Sequence, residues 1–338
     1  MKKLEERGDA SLYLEELREC RLCSWECGIN RLEGERGVCG ISIPMVASSM
    51  LHPAPPASYD AFLVGCSFRC LFCQNWRISN YPENPCSYDI EGYYPPRKWA
   101  ELAVKSLKSS SARLIGADRL FFTGGEPTCS LSWVEEVVKE TRTIDKSVKV
   151  NYDTNGFLTK KSLKRVLDLA TSITYDIKAY SEKIHQALTG APVEQVLQNA
   201  EYIGKKAKEK LWEFRVMVIP QIHEKEIQPL CEFIASIDTT LPVCFLAYRP
   251  NFVMAPYSGA TSEFMDWCIN TAKKTGIENV HWSGTVGIKG EKPKDEGIYL
   301  AYTYAKKGGC IQTSSRYCKT CVNMHKCKVK KHIPLRST

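Results

Sequence analysis

The chain has 338 residues, with 46 Lys and Arg against 38 Asp and Glu, for a net charge of +8. This length can bury a large core. No apolar run reaches the length of a membrane span, and the opening Met1-Lys2-Lys3-Leu4-Glu5-Glu6-Arg7 lacks the apolar stretch of a secretory signal. Sixteen cysteines therefore read as metal or cluster ligands in a reducing, cytoplasmic setting, not as a secreted disulfide framework. The basicity is local. Lys306 to Thr338 carries nine Lys and Arg and no acid, so the rest of the chain sums to 8 − 9 = −1.

Taken in chain order, residues 1–19 read as a short amphipathic helix with Leu12, Leu14 and Leu17 among charges. Cys20, Cys23, Cys27 and Cys39 follow as C-x2-C-x3-C-x11-C. This set can staple a segment too small for its own core. Zinc, a second iron–sulfur cluster and metal-free thiols all remain open for it. Residues 44–59, with Pro44, Pro53, Pro55 and Pro56, read as a linker. The apolar run Tyr59–Gly65 reads as a buried strand and leads into Cys66-Ser-Phe-Arg-Cys70-Leu-Phe-Cys73. Three thiols in one loop select a soft metal centre. With no fourth ligand close by, Cys66, Cys70 and Cys73 suit a [4Fe–4S] cluster whose fourth iron binds something else.

From there strand-like runs alternate with helical patterns. The strands are expected at Arg119–Thr123, Val148–Tyr152, Ile173–Asp176, Glu213–Ile219 and Val243–Ala247. The helices are expected at Arg97–Leu107, Leu131–Thr143, Thr159–Ala170, Val193–Lys210 and Glu224–Ile237. Six such units give an α/β fold, an open (β/α)6 partial TIM barrel with right-handed crossovers. A further helix (Ser262–Lys274) and an edge strand (Asn279–Trp282) extend it. The organisation expected is a four-cysteine metal-binding segment over 1–50, the barrel over 51–290 and a basic Cys-rich segment over 291–338. Chemistry in such barrels sits at the C-terminal ends of strands. Those ends carry Gly124-Gly125-Glu126-Pro127, Asp153-Thr154-Asn155-Gly156, Asp176-Ile177-Lys178 and Tyr248-Arg249-Pro250, with Arg215 inside a strand. The glycine pair allows a backbone edge to approach a ligand. Two carboxylates at adjacent strand ends repel unless a cation lies between them. Each motif also has a plain reading, as turn, helix cap or structural ion pair. His185 reads as a surface or hydrogen-bonded helix residue. Cys86, Cys129, Cys231, Cys244 and Cys268 read as small buried hydrophobes.

The C-x3-C-x-φ-C motif resembles the radical S-adenosylmethionine (SAM) superfamily. Gly124–Glu126, Asp153–Gly156 and Asp176–Lys178 extend the resemblance, over about residues 60–255, to the glycyl-radical-enzyme activases such as pyruvate formate-lyase activating enzyme. Cys20-Arg-Leu-Cys23 with Gly34-Glu-Arg-Gly37-Val-Cys39-Gly40 is similar to the branch called AmmeMemoRadiSam system radical SAM enzymes. The resemblance implies a cluster on Cys66, Cys70 and Cys73 that chelates SAM, with Phe72 against the adenine. It also implies Gly124, Gly125 and Glu126 at the methionine end, and a monovalent cation held by Asp153, Thr154 and Asp176. Asn155 and Lys178 belong to the matched motifs, and Arg215 is available to a carboxylate of SAM or substrate. Ser24 stands where that branch suggests a proline, and Tyr248-Arg249-Pro250 replaces an aromatic-His-Pro.

At the C-terminus, Cys310, Cys318, Cys321 and Cys327 match one half of an auxiliary-cluster pattern. An auxiliary [4Fe–4S], zinc and no metal all remain open there, with His325 or His332 as alternative ligands. The lysines around them either offset cluster charge, bind phosphate or acid, or are simply solvated. The reading is a radical SAM enzyme that receives an electron from a ferredoxin- or flavodoxin-type donor and abstracts hydrogen from a peptide, nucleic acid or small molecule. The competing readings are an activase acting on a glycine of a partner enzyme, and a zinc-stapled nucleic-acid-binding module on an inert barrel. No cobalamin domain and no membrane partner is expected.

Overall fold

The computed structural model describes residues 13–79 and 90–291. Cys86, Cys310, Cys318, Cys321, Cys327, His325, His332 and the basic tail lie outside the described residues. The fold rests on one eight-stranded sheet in linear order. Its strands are β1 (Val46–His52), β2 (Ser58–Leu63), β3 (Arg119–Gly124), β4 (Lys149–Thr154), β5 (Ser172–Asp176), β6 (Leu211–Val218), β7 (Val243–Ala247) and β8 (Val280–Ser283). From β2 to β8 every neighbour pairs parallel. Helices cross between successive strands, as parallel neighbours require. The sheet curves as an open partial barrel of six βα units, extended at one end by β8 and at the other by β1.

Along the central strands apolar residues alternate with polar ones such as Thr174, Glu213 and Arg215, because successive side chains point to opposite faces of the sheet. Leu120 and Phe122, Ile173 and Tyr175, and Phe214, Val216 and Val218 are all fully buried. The helices begin where the sequence offers a cap. Thr159 accepts from Ser162 N ahead of Lys160–Leu169, Ser181 from Ile184 N ahead of Glu182–Thr189, and Thr261 from Phe264 N ahead of Ser262–Lys274.

Several expectations change. The linker over 44–59 is a strand, since β1 pairs antiparallel with β2 from Val46↔Leu63 to His52↔Ser58. Pro53, Pro55 and Pro56 sit in the turn between the two, where a missing N–H breaks no ladder. The expected N-terminal helix is, within the described part, a 3₁₀ turn at Glu15–Glu19 that buries Leu17. The run Val193–Lys210 divides into a helix at Glu194–Lys206 and a 3₁₀ turn at Lys208–Lys210. The helix expected from Glu224 starts at Ile227, and Glu226 just before it accepts from Tyr180 N and from Ser181 N and Oγ. Trp76–Ser79 and Ser110–Ile115 are helices unread in the sequence, and the helix expected at His185 spans Glu182–Thr189.

The N-terminal segment packs on the same end of the barrel as the cysteine loop. Trp25 Nε1 donates to Ser67 O at 2.7 Å and its ring lies 5.1 Å from that of Phe157. Cys23 bridges Leu158, and Ser24 N donates to Phe157 O.

Candidate active site

The loop after β2 carries three thiols and is held from four sides. Arg69, 1% exposed, turns inward and donates to Cys66 O at 2.7 Å, to Phe68 O at 2.8 Å and to Val38 O. Arg69 N and Leu71 N donate to Thr189 O and Leu188 O at the end of the Glu182–Thr189 helix. Met254 N, past β7, donates to Leu71 O. Phe68 fills the core against Phe157 and, edge-on, against His185. Cys66 and Cys70 are buried and Cys73 is half-buried. Burial first, and then the neighbouring Cys70, push the Cys66 thiol well above its ordinary value. A cation would have to displace that proton on binding. No disulfide joins these cysteines.

The glycine pair is packed against backbone. Gly125 N donates to Leu63 O at 2.7 Å and Glu126 N to Gly65 O at 2.8 Å. Gly124 O accepts from Asn75 Nδ2 at 2.9 Å. These groups zip the end of β3 to the base of the cysteine loop. Gly124 has φ +105°, and a Cβ on either glycine would overlap the Leu63 or Gly65 backbone. The same contact leaves the N–H groups of Gly125 and Glu126 already committed.

Glu126 is 1% exposed. Its Oε1 accepts from Thr128 N, Thr128 Oγ1 and Thr154 Oγ1, and its Oε2 from Asn155 N. The carboxylate ties the β3 end to the β4 end. Burial pushes its pKa up against these hydrogen bonds. Asn155 then reaches the cysteines, with Nδ2 donating to Ser67 Oγ at 3.0 Å and to Cys66 Sγ at 3.7 Å. Phe72 is buried in the core cluster that contains Cys66 and Cys70.

Asp153, Asp176, Lys178 and Arg215 form one electrostatic set. Asp176 and Arg215 are register partners. Lys178 Nζ lies 2.6 Å from Asp176 Oδ2, and Arg215 Nε donates to Glu213 Oε1 at 2.6 Å. Asp153 and Asp176 both hold the Arg215 guanidinium in its charged form. Asp153 Oδ2 accepts from Thr123 Oγ1 at 2.6 Å, while its buried Oδ1 has no partner. Burial and the Asp176 charge raise its pKa to about 7. The two cations beside these carboxylates are thus side chains of the protein itself. Glu213, Cys244 and His281 also bring one ligand atom each within 4.8 Å of the others, but Arg215 already occupies Glu213. Among the described residues no other three ligand atoms do so. The sulfurs of Cys66, Cys70 and Cys73 are therefore spaced wider than the ligands of one ion.

His185 is a buried helix residue, not a ligand. Its Nδ1 meets Ala191 O at 2.7 Å, and burial lowers its pKa to about 4. Sequence reasoning missed Arg69, Ser67, Asn75 and Trp25. Ser67 and Arg69 stand inside the cysteine motif, Asn75 just past it and Trp25 within the N-terminal set, and each holds the loop in place of supplying a ligand.

The family model described as "Radical SAM superfamily" matches residues 61–234, half of the chain. An uncharacterised protein of Methanocaldococcus jannaschii is 23% identical over 78% of this chain and 77% of its own length. A pyruvate formate-lyase-activating enzyme of Staphylococcus epidermidis is 27% identical over 76% of this chain and 92% of its own. The structure of Streptococcus suis SuiB bound to S-adenosylmethionine is 14% identical, with TM-score 0.48, over 70% of this chain and 50% of that one.

Proposed function

The chain belongs to the radical SAM superfamily and is an enzyme of that type, and from this premise we propose that Cys66, Cys70 and Cys73 hold a [4Fe–4S] cluster for the cleavage of SAM. The observation that carries the proposal is the loop itself, two buried thiols and a half-buried third in eight residues past a strand end, braced by Arg69 and Asn155. When bound, such a cluster would supply one electron to the sulfonium of SAM, whose C5′–S bond would break to leave methionine and a 5′-deoxyadenosyl radical able to take hydrogen from a substrate.

The protein's own residues position and insulate. Arg69 and the Leu188–Thr189 carbonyls fix the loop backbone, so the three sulfurs stay converged. Asn155 donates to Cys66 Sγ, which favours its thiolate form. Phe72 offers an apolar wall for the adenine. Glu126, saturated by four donors, acts by fixing Asn155 and the β3 end. Gly125 and the strand end it extends would hold the methionine end of SAM. Lys178 and Arg215 are placed for its carboxylate or that of a substrate. A monovalent cation remains part of the proposal. Asp153, Asp176 and Glu213 against Lys178 and Arg215 leave −3 + 2 = −1 when ionised, and Asp153 Oδ1 is unpartnered.

The substrate reading is a modifying enzyme acting on a peptide, nucleic acid or small molecule. It draws on a low-potential ferredoxin- or flavodoxin-type donor in a reducing cytoplasm. A second reading, the generation of a glycyl radical on a partner enzyme, is favoured by the activating-enzyme relatives. An inert nucleic-acid-binding barrel is not carried, because the chain is an enzyme of the radical SAM type. The deciding experiment is anaerobic reconstitution with iron and sulfide, then dithionite and SAM. 5′-Deoxyadenosine is expected from the native chain and none from Cys73→Ala. Equal yield from both would overturn the proposal.

A further inference from the structure

The second set of thiols lies directly behind the first. Cys20 N donates to Ile29 O and Gly28 N to Cys20 O, which folds Cys20 beside Cys27. Gly37 packs so closely on Cys27 that a Cβ there would lie 2.8 Å from Cys27 Sγ. This brings the Cys39 turn onto the same cluster. Cys39 shares a side-chain hydrogen bond with Cys129, from the turn after β3. Cys39 O also lies under Gly65, the residue before Cys66.

Among these sulfurs sits Arg31, 1% exposed. Its Nε donates to Ser42 O at 2.9 Å and its Nη1 to Cys129 O at 2.8 Å and to Cys20 Sγ at 3.6 Å. None of these partners is a carboxylate. Its Nη2 is buried with no partner. A guanidinium out of water needs a counter-charge, and the groups that surround it are thiols. An anionic thiolate centre supplies that charge, and four neutral thiols do not.

Zinc and an iron–sulfur cluster would both be anionic on four thiolates. Sulfur spacing separates them. Zinc at about 2.3 Å from each sulfur needs sulfurs about 3.8 Å apart. No three of these sulfurs lie within 4.8 Å of one another. We propose that Cys20, Cys23, Cys27 and Cys39 hold an auxiliary [4Fe–4S] cluster, with Arg31 donating to it and Cys129 packed at its edge. The cluster stands one residue's backbone away from the SAM-cleaving loop. It can take one electron from an external low-potential donor and pass one electron on.

The test uses the full chain. With Cys66→Ala, Cys70→Ala, Cys73→Ala, Cys318→Ala and Cys321→Ala combined, the other two cysteine sets are disabled. About four irons and four sulfides per chain are expected to remain, without zinc. Adding Cys20→Ala and Cys23→Ala is expected to remove them. One zinc per chain, or no metal, would overturn the inference. Should the multiple variant fail to fold, Arg31→Gln in the otherwise native chain keeps every thiol. A redox titration followed by electron paramagnetic resonance should then show one cluster moved to a lower potential, since a buried positive charge near it is lost. Unchanged potentials for every cluster would overturn the inference too. Dithionite-driven SAM cleavage by the Cys20→Ala, Cys23→Ala chain reads the first cluster separately, so failure of one site is not mistaken for failure of the other.

Discussion

Asn155 Nδ2 lies 3.7 Å from Cys66 Sγ, and Asn155 N is fixed by Glu126 Oε2. Hydrogen bonds to cluster sulfurs raise the reduction potential. Asn155→Ala should therefore keep its iron but titrate at a lower potential than the native chain. Loss of iron instead would make Asn155 a structural brace only. Asp153 gives a pH-dependent prediction. Its folded pKa, about 7, lies above that of a free Asp side chain, about 3.9. The fold therefore favours the protonated form, and this contribution fades as pH rises from about 4 to about 7. The native chain should lose thermal stability relative to Asp153→Asn between pH 5 and pH 8. Potassium ions should restore part of it at pH 8 and none at pH 5. A constant difference between the two proteins across that range would show that Asp153 does not titrate there.

At the scale of the element, the junction between β2 and β3 decides the site. Gly124 and Gly125 permit the backbone of one strand end to lie against that of the next, closer than any side chain allows. Gly125→Ala should cost roughly 2–4 kcal/mol in urea unfolding, because both partners are backbone and neither can swing aside. A cost below about 1 kcal/mol, in the range of ordinary surface changes, would mean that the loop yields easily. β1 has its own role at this scale. It covers β2 with an antiparallel partner, so that the strand leading into the cysteine loop is paired on both sides and β1 takes the edge position.

At the scale of the whole molecule, the N-terminal segment and the barrel share one hydrophobic core. Leu17, Trp25 and Ile29 belong to the same cluster as Phe122, Tyr152 and Phe214. Trp25 joins the two parts, with its ring beside Phe157 and its N–H on Ser67 O. Trp25→Ala should cost about 3–5 kcal/mol and open residues 13–43 to limited proteolysis. It should also loosen the cysteine loop, read as faster loss of iron to a chelator. Release of the segment without faster iron loss would separate the two functions. No helix among the described residues is long and apolar enough to cross a membrane.

The sequence by itself determined the βα alternation, because short strand-like stretches rich in β-branched and aromatic residues alternate with amphipathic helical patterns. It also determined the cysteine loop, because three cysteines that close in sequence cannot be far apart in space. It marked the strand ends where Asp153, Asp176 and Glu126 stand. What those residues face was decided only by tertiary structure. The two glycines bind backbone, Glu126 is saturated by Thr128, Thr154 and Asn155, and Lys178 and Arg215 bring positive charge to the carboxylates. Those partners come from different strands, so no local spacing encodes them. The meeting of Cys39, Cys129 and Arg31 is of the same kind. It joins positions about a hundred residues apart through the packing of one small segment on the barrel end.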